Sequence, residues 1–550
     1  MRFDSEKVTQ VPPDLEQATE NELSQQKGEM TPINTNNLAR NLSARQVSMI
    51  AIGGTIGTGL FLGTGKAIAT GGPGSTLLAY AICGLIIYFT MLCLGEMAAF
   101  IPVSGSFCTF AGRFVDDSLS FALTWNYWFN DAVSTAADLL ALQILLQYWT
   151  DHFPGWAISL IFLVLVLAFN LAPVAVFGEV SYWLSLLKVA TIIVFIIVGI
   201  VVNCGGNQGH QYIGDQYWHV GEAPFVVSFI PKANNAELMS LSESSGGTES
   251  IAITAGETKD PARTLPHVVR NVFWRILLFY ILSIIIIGFN VPYTYPGLST
   301  KSTSTSPFTI VFVEAGSAAA GSFINAVIFT SAISASNHAL FVGSRLLYTL
   351  AISGHAPRFL GHINRFQVPW VAVLGTLVIS ALCFGASYIG QGQLWVWLQN
   401  IVGVSNQISW VVIGIASLRF RTGIKKQNLE HLLNFKNWTY PWGPIFTVGM
   451  NVVLILVQGW TCFSPSFNVV DFFSFYLEIP VLIIMIIGWK LIKKTKLVKL
   501  DEMDLVTDRY DTLINLAGGV HESDSTHGPV SPGQNKILGT FKRIGMYFCF

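Results

Sequence analysis

An all-α integral membrane protein is what this sequence predicts, on three observations. Hydrophobic residues make up 52% of the 550 and charged residues only 11%, against about 25% charged in a soluble domain; so small a polar supply cannot cover a water-facing surface. Apolar runs of the length a bilayer core requires, about 20 residues, recur from Ser48 to Trp489. Lysine and arginine gather in alternate loops between those runs, the pattern of a chain that weaves through a membrane.

The runs lie near 47–70, 75–101, 119–149, 156–174, 181–203, 270–292, 321–350, 370–389, 394–417, 441–461 and 469–489, eleven clear spans. Basic residues cluster at Lys259–Arg275, Arg345–Arg365, Arg419–Lys436 and Lys490–Lys499, whereas 204–224 and 462–468 have none and 293–320 has only Lys301. The positive-inside rule makes the basic loops cytoplasmic. Five spans leave 204–224 outside while 259–275 must be inside, so the chain has to cross once more, within 225–258. That stretch is a poor span by composition. It holds Lys232, Glu237, Glu243 and Glu249, and a charge at a helix centre costs roughly 2.5–3.5 kcal/mol on insertion scales. Topology outweighs local hydropathy here, because three later basic loops would invert without the crossing. The expected total is twelve.

Polar, aperiodic flanks are expected at 1–43, as a disordered cytoplasmic tail with Lys7 and Lys27 accessible, and at 496–550, as a cytoplasmic C-terminal tail; 44–495 forms the membrane domain. No cleavable leader is visible, so the first span would be the insertion signal. A net charge of −1 gives no argument for a nucleic-acid partner. The seven cysteines lack metal-ligand spacing and read as small packing residues. Cys204 and Cys462 are the two that would fall near the outer face, and no bridge between them is expected. Sequons at Asn41 and Asn437 fall on the expected inside, where glycosylation does not occur.

Four places carry chemistry. GGTIGTG at 53–59 puts Gly57, Thr58 and Gly59 in the first span. So many glycines weaken a helix, and broken backbone at membrane depth is tolerated only against protein or a cavity. Close packing through small residues is the bland reading of the glycines alone. The functional one is a half-helix whose N–H groups receive an anion such as a carboxylate. Gly246, Gly247, Thr248 and Glu249 make a second small-residue break five crossings later. Two interrupted segments at corresponding positions mark an inverted repeat with spans one to five mirrored by six to ten. Amide donors at one break and carbonyls at the other suit an α-amino acid. The third span holds Asn130, Asp131, Ser134, Thr135 and Asp138. Helical spacing puts Asp131, Ser134 or Thr135, and Asp138 on one face, for a structural ion pair, proton acceptance or recognition of a cationic side chain. Lys188 is the only basic residue of the fifth span; it could switch charge when buried or snorkel to the inner face. Glu96 reads as a structural anchor, and His338 as a packing histidine in a span made polar by Ser331, Ser334, Ser336 and Asn337.

At these residues the sequence resembles the fungal amino-acid permeases of the amino acid–polyamine–organocation superfamily, nearest to the basic (lysine and arginine) permeases. The match runs from about Asn41 to Asp511 and rests on SMIAIGGTIGTGLF at 48–61, LGEMAAFIPVSGSF at 94–107, GGTESIAITAGE at 246–257 and VGSRLLY at 342–348. The resemblance implies a leucine-transporter-type fold, a 5+5 inverted repeat plus two helices, working by alternating access and proton symport at the plasma membrane. It implies that Gly57, Thr58 and Gly59 hold the substrate carboxylate, that Gly246, Gly247, Thr248 and Glu249 form the second part of the site, and that Asn130, Ser134 and Asp138 complete it. Lys188 matches a lysine that looks like a replacement for a sodium site, so Lys188 and Asp138 are the expected proton-coupling pair. Asp131 departs from the bulky aromatic usual at its position, and Ser244 and Ser245 stand where the family carries an aromatic gate. Cys549 resembles the S-acylation site with which related permeases finish, and the N-terminal tail is the expected target of ubiquitin-dependent endocytosis.

The expected partners are therefore an amino acid, protons and the lipid bilayer, with no cofactor and no metal. A broad or neutral amino-acid permease, or a non-transporting amino-acid sensor of the same fold, is the alternative. A channel fits less well because no charge ring is visible, and an enzyme least, because no nucleophile–base set is.

Overall fold

The computed structural model describes residues 42–103, 105–150, 152–226, 249–254, 258, 261–296, 298, 306–316, 318–433, 435–463 and 467–509. Gly246, Gly247, Thr248, Cys549, Asn41 and both tails up to residue 41 and from residue 510 lie outside them. Among the described residues the regular structure is helical, apart from a single bridge between Leu42 and Thr258.

In chain order they are α1 (Ala44–Thr55), α2 (Thr64–Phe100), α3 (Ser106–Phe114), α4 (Asp117–Leu146), α5 (Gly155–Leu171), α6 (Val174–Val201), α7 (Ser250–Thr254), α8 (Pro261–Arg275), α9 (Leu282–Asn290), α10 (Pro307–Glu314), α11 (Ala318–Ile352), α12 (Trp370–Ser380), α13 (Ala386–Ile389), α14 (Gln391–Lys426), α15 (Trp442–Val457), α16 (Val469–Tyr476) and α17 (Glu478–Lys493). Seven helical stretches among the described residues are long and apolar enough to cross a membrane, and α16 with α17, bent by 47°, makes an eighth. The shorter apolar helices α5 and α15, of 17 and 16 residues, span about 24–26 Å at 1.5 Å per residue.

The breaks have local causes. Gly72 at φ 81° precedes Pro73 and separates the first span from the second within α2; the positive φ is open to glycine and the proline cannot continue the preceding turn. Pro480 brings no N–H to the Tyr476 carbonyl, which explains the bend between α16 and α17. α4 starts on Asp116, whose side chain accepts from the Ser118 N–H at 2.9 Å.

The crossing expected between 225 and 258 is described only at its flanks. Val226 N donates to the Gly71 carbonyl at 3.0 Å, and Thr258 pairs with Leu42. Gly71 and Leu42 lie at opposite ends of the first span, and residues 227–248, where the expected crossing falls, lie outside the described residues.

Two apolar layers form the core. One holds Val47, Met91, Phe107, Phe110, Phe341, Trp410 and Phe420 towards the basic-loop end. The other holds Leu60, Phe61, Tyr80, Leu139, Phe195, Phe308 and Trp395. Glu96 is a structural anchor: fully buried, its Oε1 accepts from Arg421 Nε at 2.8 Å and from the Asn437 N–H at 3.0 Å. Asn437 is itself buried, which closes that sequon to an oligosaccharide. The six described cysteines are free, Cys204 exposed and Cys462 buried. After α17 the chain turns back under the bundle: Val498 N donates to the Val115 carbonyl at 2.9 Å, Gln427 Nε2 to the Leu500 and Met503 carbonyls, and Leu505 is fully buried.

Candidate functional site

The first span is broken where its glycines fall. α1 stops at Thr55, Ile56 leaves the helical region at ψ 86°, and a wide turn from Gly59 to Gly63 restarts the helix. A helix end leaves carbonyls without partners, and here cations receive them. Lys188 Nζ of α6 donates to the Gly53 carbonyl at 2.7 Å and to the Ile56 carbonyl at 3.0 Å. Arg275 of α8 donates to the Ala51 carbonyl at 2.5 Å. Ser331 of α11 adds a bond to the Ile56 carbonyl at 3.2 Å. Positive charge at the C-terminal end of a helix is favoured by the peptide dipoles, by about 0.3–1 kcal/mol at exposed ends and up to about 2 when partly buried. Lys188 is fully buried, so it does not snorkel; it braces the break. Close packing and the break coexist, because Gly53 faces Ser185 of α6 so closely that a Cβ there would sit 2.5 Å from the Ser185 Cβ.

Across the break, Thr58 Oγ1 donates to Asp138 Oδ1 of α4 at 2.7 Å. Thr58, Asp138 and Lys188 thus come together, and Asp138 lies within electrostatic reach of the lysine. Gly57 keeps space beside it: a Cβ there would meet only the Ala335 Cβ, at an ordinary 3.6 Å. Gly59 is buried in the wide turn. Ser134 is half-buried, on the same side of α4.

Asp131 and Asp138 share a helical face but serve different neighbours, since seven residues separate them by about 10 Å along the axis. Asp131 packs its Cβ against Gly343 of α11 and lies within electrostatic reach of Glu249, the residue before α7. Glu249, fully buried, accepts from Tyr127 Oη of α4 at 2.8 Å. Ser250 and His338 Nε2 share a bond of 2.8 Å, which brings a histidine read as mere packing to the residue next to Glu249. Asn130 Nδ2 donates to Asn406 Oδ1 of α14 at 3.1 Å, so that amide is engaged with a neighbouring helix. Tyr127, His338, Ser331 and Asn406 are the neighbours that sequence reasoning did not assign to the site. Tyr127 could have been found, since it stands one turn before Asp131; the others depend on which helices touch.

The arrangement offers a broken helix braced by a buried lysine, a carboxyl within reach of it, and a second carboxyl on another helix segment. Among the described residues no cluster of His, Cys, Asp and Glu has the makings of a metal site. The sequence pattern of the family described as amino acid permease matches residues 46–502. The chain is 44% identical to a probable amino-acid permease of Schizosaccharomyces pombe over 86% of its length and 95% of that protein. It is 43% identical to the lysine-specific permease LysP of Escherichia coli, over 85% of this chain and 96% of that one. Identity to the lysine-specific permease of Saccharomyces cerevisiae is 35%, over 86% and 79% respectively.

Proposed function

We propose, from the premise that this chain belongs to the amino acid permease family, that it carries amino acids across a membrane together with protons, and that lysine and arginine are its favoured substrates. The family makes it a multi-pass membrane transporter rather than an enzyme. The finer reading is supported by one observation above the others: a carboxyl, Asp138, bonded to Thr58 at the break of the first span, with Lys188 donating to the carbonyls on the other side.

The α-carboxylate of the substrate docks at Gly57, Thr58 and Gly59, where the absence of side chains at 57 and 59 lets the backbone approach. Its ammonium group meets Gly246, Gly247, Thr248 and Glu249. Asn130, Ser134 and Asp138 line the side-chain end. A lysine or arginine side chain brings the positive charge that favours the ionised form of a buried carboxyl. The Lys188 ammonium stands among carbonyl oxygens, the donors that a sodium ion would need. Protons can therefore take over the coupling, with Lys188 and Asp138 as the exchanging groups. The names of the lysine-specific relatives point the same way.

In this reading the membrane domain, 44–495, has twelve spans, ten of them in two inverted repeats that rock against each other to alternate access. The tails at 1–43 and 496–550 are cytoplasmic, the protein works at the plasma membrane, ubiquitin on the N-terminal tail drives its endocytosis, and Cys549 is acylated. Counterflow in proteoliposomes separates transport from sensing. Labelled lysine should enter vesicles preloaded with unlabelled lysine; binding without exchange would make the protein a sensor, and exchange of leucine but not lysine would make it a neutral permease.

A further inference from the structure

The last span carries a polar line that the transport site does not use. Asp471 and Ser474 of α16 and Glu478 of α17 follow one another at three and four residues, the spacing of neighbours on a helix surface. Each meets a partner from the core of the bundle. Trp397 Nε1 of α14 donates to Asp471 Oδ1 at 3.2 Å, and Asn400 Nδ2 donates to Ser474 Oγ at 3.0 Å. Glu478 lies against Asn126 of α4, and Asn126 Oδ1 accepts from Ser405 of α14 at 2.8 Å. One turn along α4 comes the Asn130–Asn406 bond, and beside Asn130 stands Asp131, within electrostatic reach of Glu249.

Several atoms on this line have no regular protein hydrogen bond. They are both carboxyl oxygens of Glu478, Asp131 Oδ2 and Asn130 Oδ1. Glu478 is only 7% exposed. Buried polar groups normally find partners, and an ionisable residue inside a span marks an ion or proton route more often than a brace. A brace would resemble Glu96, whose carboxyl holds Arg421 and the Asn437 N–H. The charged groups on the packed helices are engaged elsewhere. On α4, Asp117 binds His355 and Trp489, and Asp138 binds Thr58. On α14, Arg419 reaches the Phe114 carbonyl, Arg421 Glu96 and Lys426 Asp501, and Lys425 is exposed at the helix end. On α16, Asp471 binds Asn468 and Trp397, while Lys490 of α17 binds Asp116 and Lys493 lies over the Trp489 ring.

We propose that Glu478 is a proton-binding carboxyl, loaded from the outer end of α16 past Asp471 and Ser474, that delivers its proton to Asp131 by way of Asn130 at the edge of the substrate site. The step breaks the O–H bond of the Glu478 acid and forms one on an Asp131 carboxylate, the Ser405 hydroxyl and water held by Asn126 and Asn130 lying between. The charge that leaves Glu478 as a proton reappears at Asp131, and nothing is oxidised or reduced. This proposal rests on the proton-coupled reading above.

The test compares full-length wild-type protein with Glu478→Gln and Glu478→Asp in proteoliposomes, with labelled lysine and a pH gradient as probes. With Glu478→Gln, gradient-driven accumulation should fall by roughly an order of magnitude, while counterflow, which needs no net proton movement, stays within about twofold. Glu478→Asp should recover part of the accumulation, and acidification should give an infrared carboxylic-acid band that Glu478→Gln lacks. Wild-type accumulation by Glu478→Gln overturns the proposal. So does equal loss of counterflow and accumulation in both variants, the result of a structural role. Wild-type transport indifferent to the gradient would sink the proton-coupled reading and this proposal together; a gradient-sensitive wild type with an unaffected Glu478→Gln would sink this proposal alone.

Discussion

Gly53→Ala should loosen the brace at the break of the first span. In an exposed helix interior, alanine in place of glycine is favourable by about 0.8–1 kcal/mol. Here the new Cβ would stand 1.8 Å from Ser185 Oγ, 2.5 Å from Ser185 Cβ and 3.0 Å from Ser185 Cα. The hydroxyl can rotate away, but the Cβ cannot, so α1 and α6 must part by roughly 1 Å to reach ordinary contact. The Lys188–Gly53 bond, now 2.7 Å, would lengthen to nearly 4 Å, past the hydrogen-bond range. Overpacking costs about 1–3 kcal/mol and a lost hydrogen bond to a charged group about 1.5–3. Less the gain in helix propensity, the net loss is about 1.5–5 kcal/mol. The assay is thermal unfolding of detergent-purified protein, followed through tryptophan fluorescence, with lysine uptake measured in parallel. Ser185→Gly in the same chain removes the clashing Cβ and should restore much of both. A Gly53→Ala protein as stable as wild type, or one that Ser185→Gly does not rescue, would refute the contact between α1 and α6 on which the brace depends.

Gly57→Ala fits the fold, its Cβ meeting only Ala335 at 3.6 Å; it should unfold like wild type yet raise the KM for lysine by about tenfold, the worth of one blocked hydrogen bond, and an unchanged KM would remove the carboxylate from this place. Asp138→Asn should cut lysine and arginine uptake by roughly thirtyfold or more, in line with the 2–5 kcal/mol lost when a buried charge pair is truncated, and uptake of neutral amino acids, which lose only the proton-exchanging group, distinctly less; equal loss for all substrates would confine Asp138 to proton exchange and remove it from recognition of the cationic side chain. Burial alone would raise the pKa of Asp116, but hydrogen bonds from Lys490, Ser118 and Thr495 outweigh it and hold the carboxyl down at about 2. The folded value lies below the unfolded one, so this contribution to stability is fully present above the ordinary carboxylate range and is lost as pH falls towards 2. Asp116→Ala should therefore lower stability at neutral pH, by about 0.5–2 kcal/mol as for other lost helix caps, and shrink the acid dependence of unfolding.

What the sequence made legible was whatever follows from composition and spacing. Apolar runs marked nearly every described span, and the crossing that the basic loops require falls on residues outside the described ones. Glycines at 53–59 foretold the break after Thr55, because backbone weakness is written in the residue type. Lys188 could not be decided from sequence: its distance from the inner end allowed snorkelling, and only the packing of α6 on α1 reveals two carbonyls in its reach. The common face of Asp131 and Asp138 was legible, their separate partners were not, since helical spacing says nothing of what crosses that face. His338 and Glu478 escaped for the same reason; neither shows a functional partner until α7, or α4, is seen against it.

Lysine accumulation by wild-type protein in proteoliposomes, driven by an inward proton gradient alone, tests the central claim most directly. The account predicts uptake above the equilibrium level, an accompanying rise in internal pH-dye acidification when lysine is added, collapse of both by a protonophore, and no change when sodium is replaced. Accumulation that requires sodium, or a gradient that moves leucine and leaves lysine outside, would contradict it.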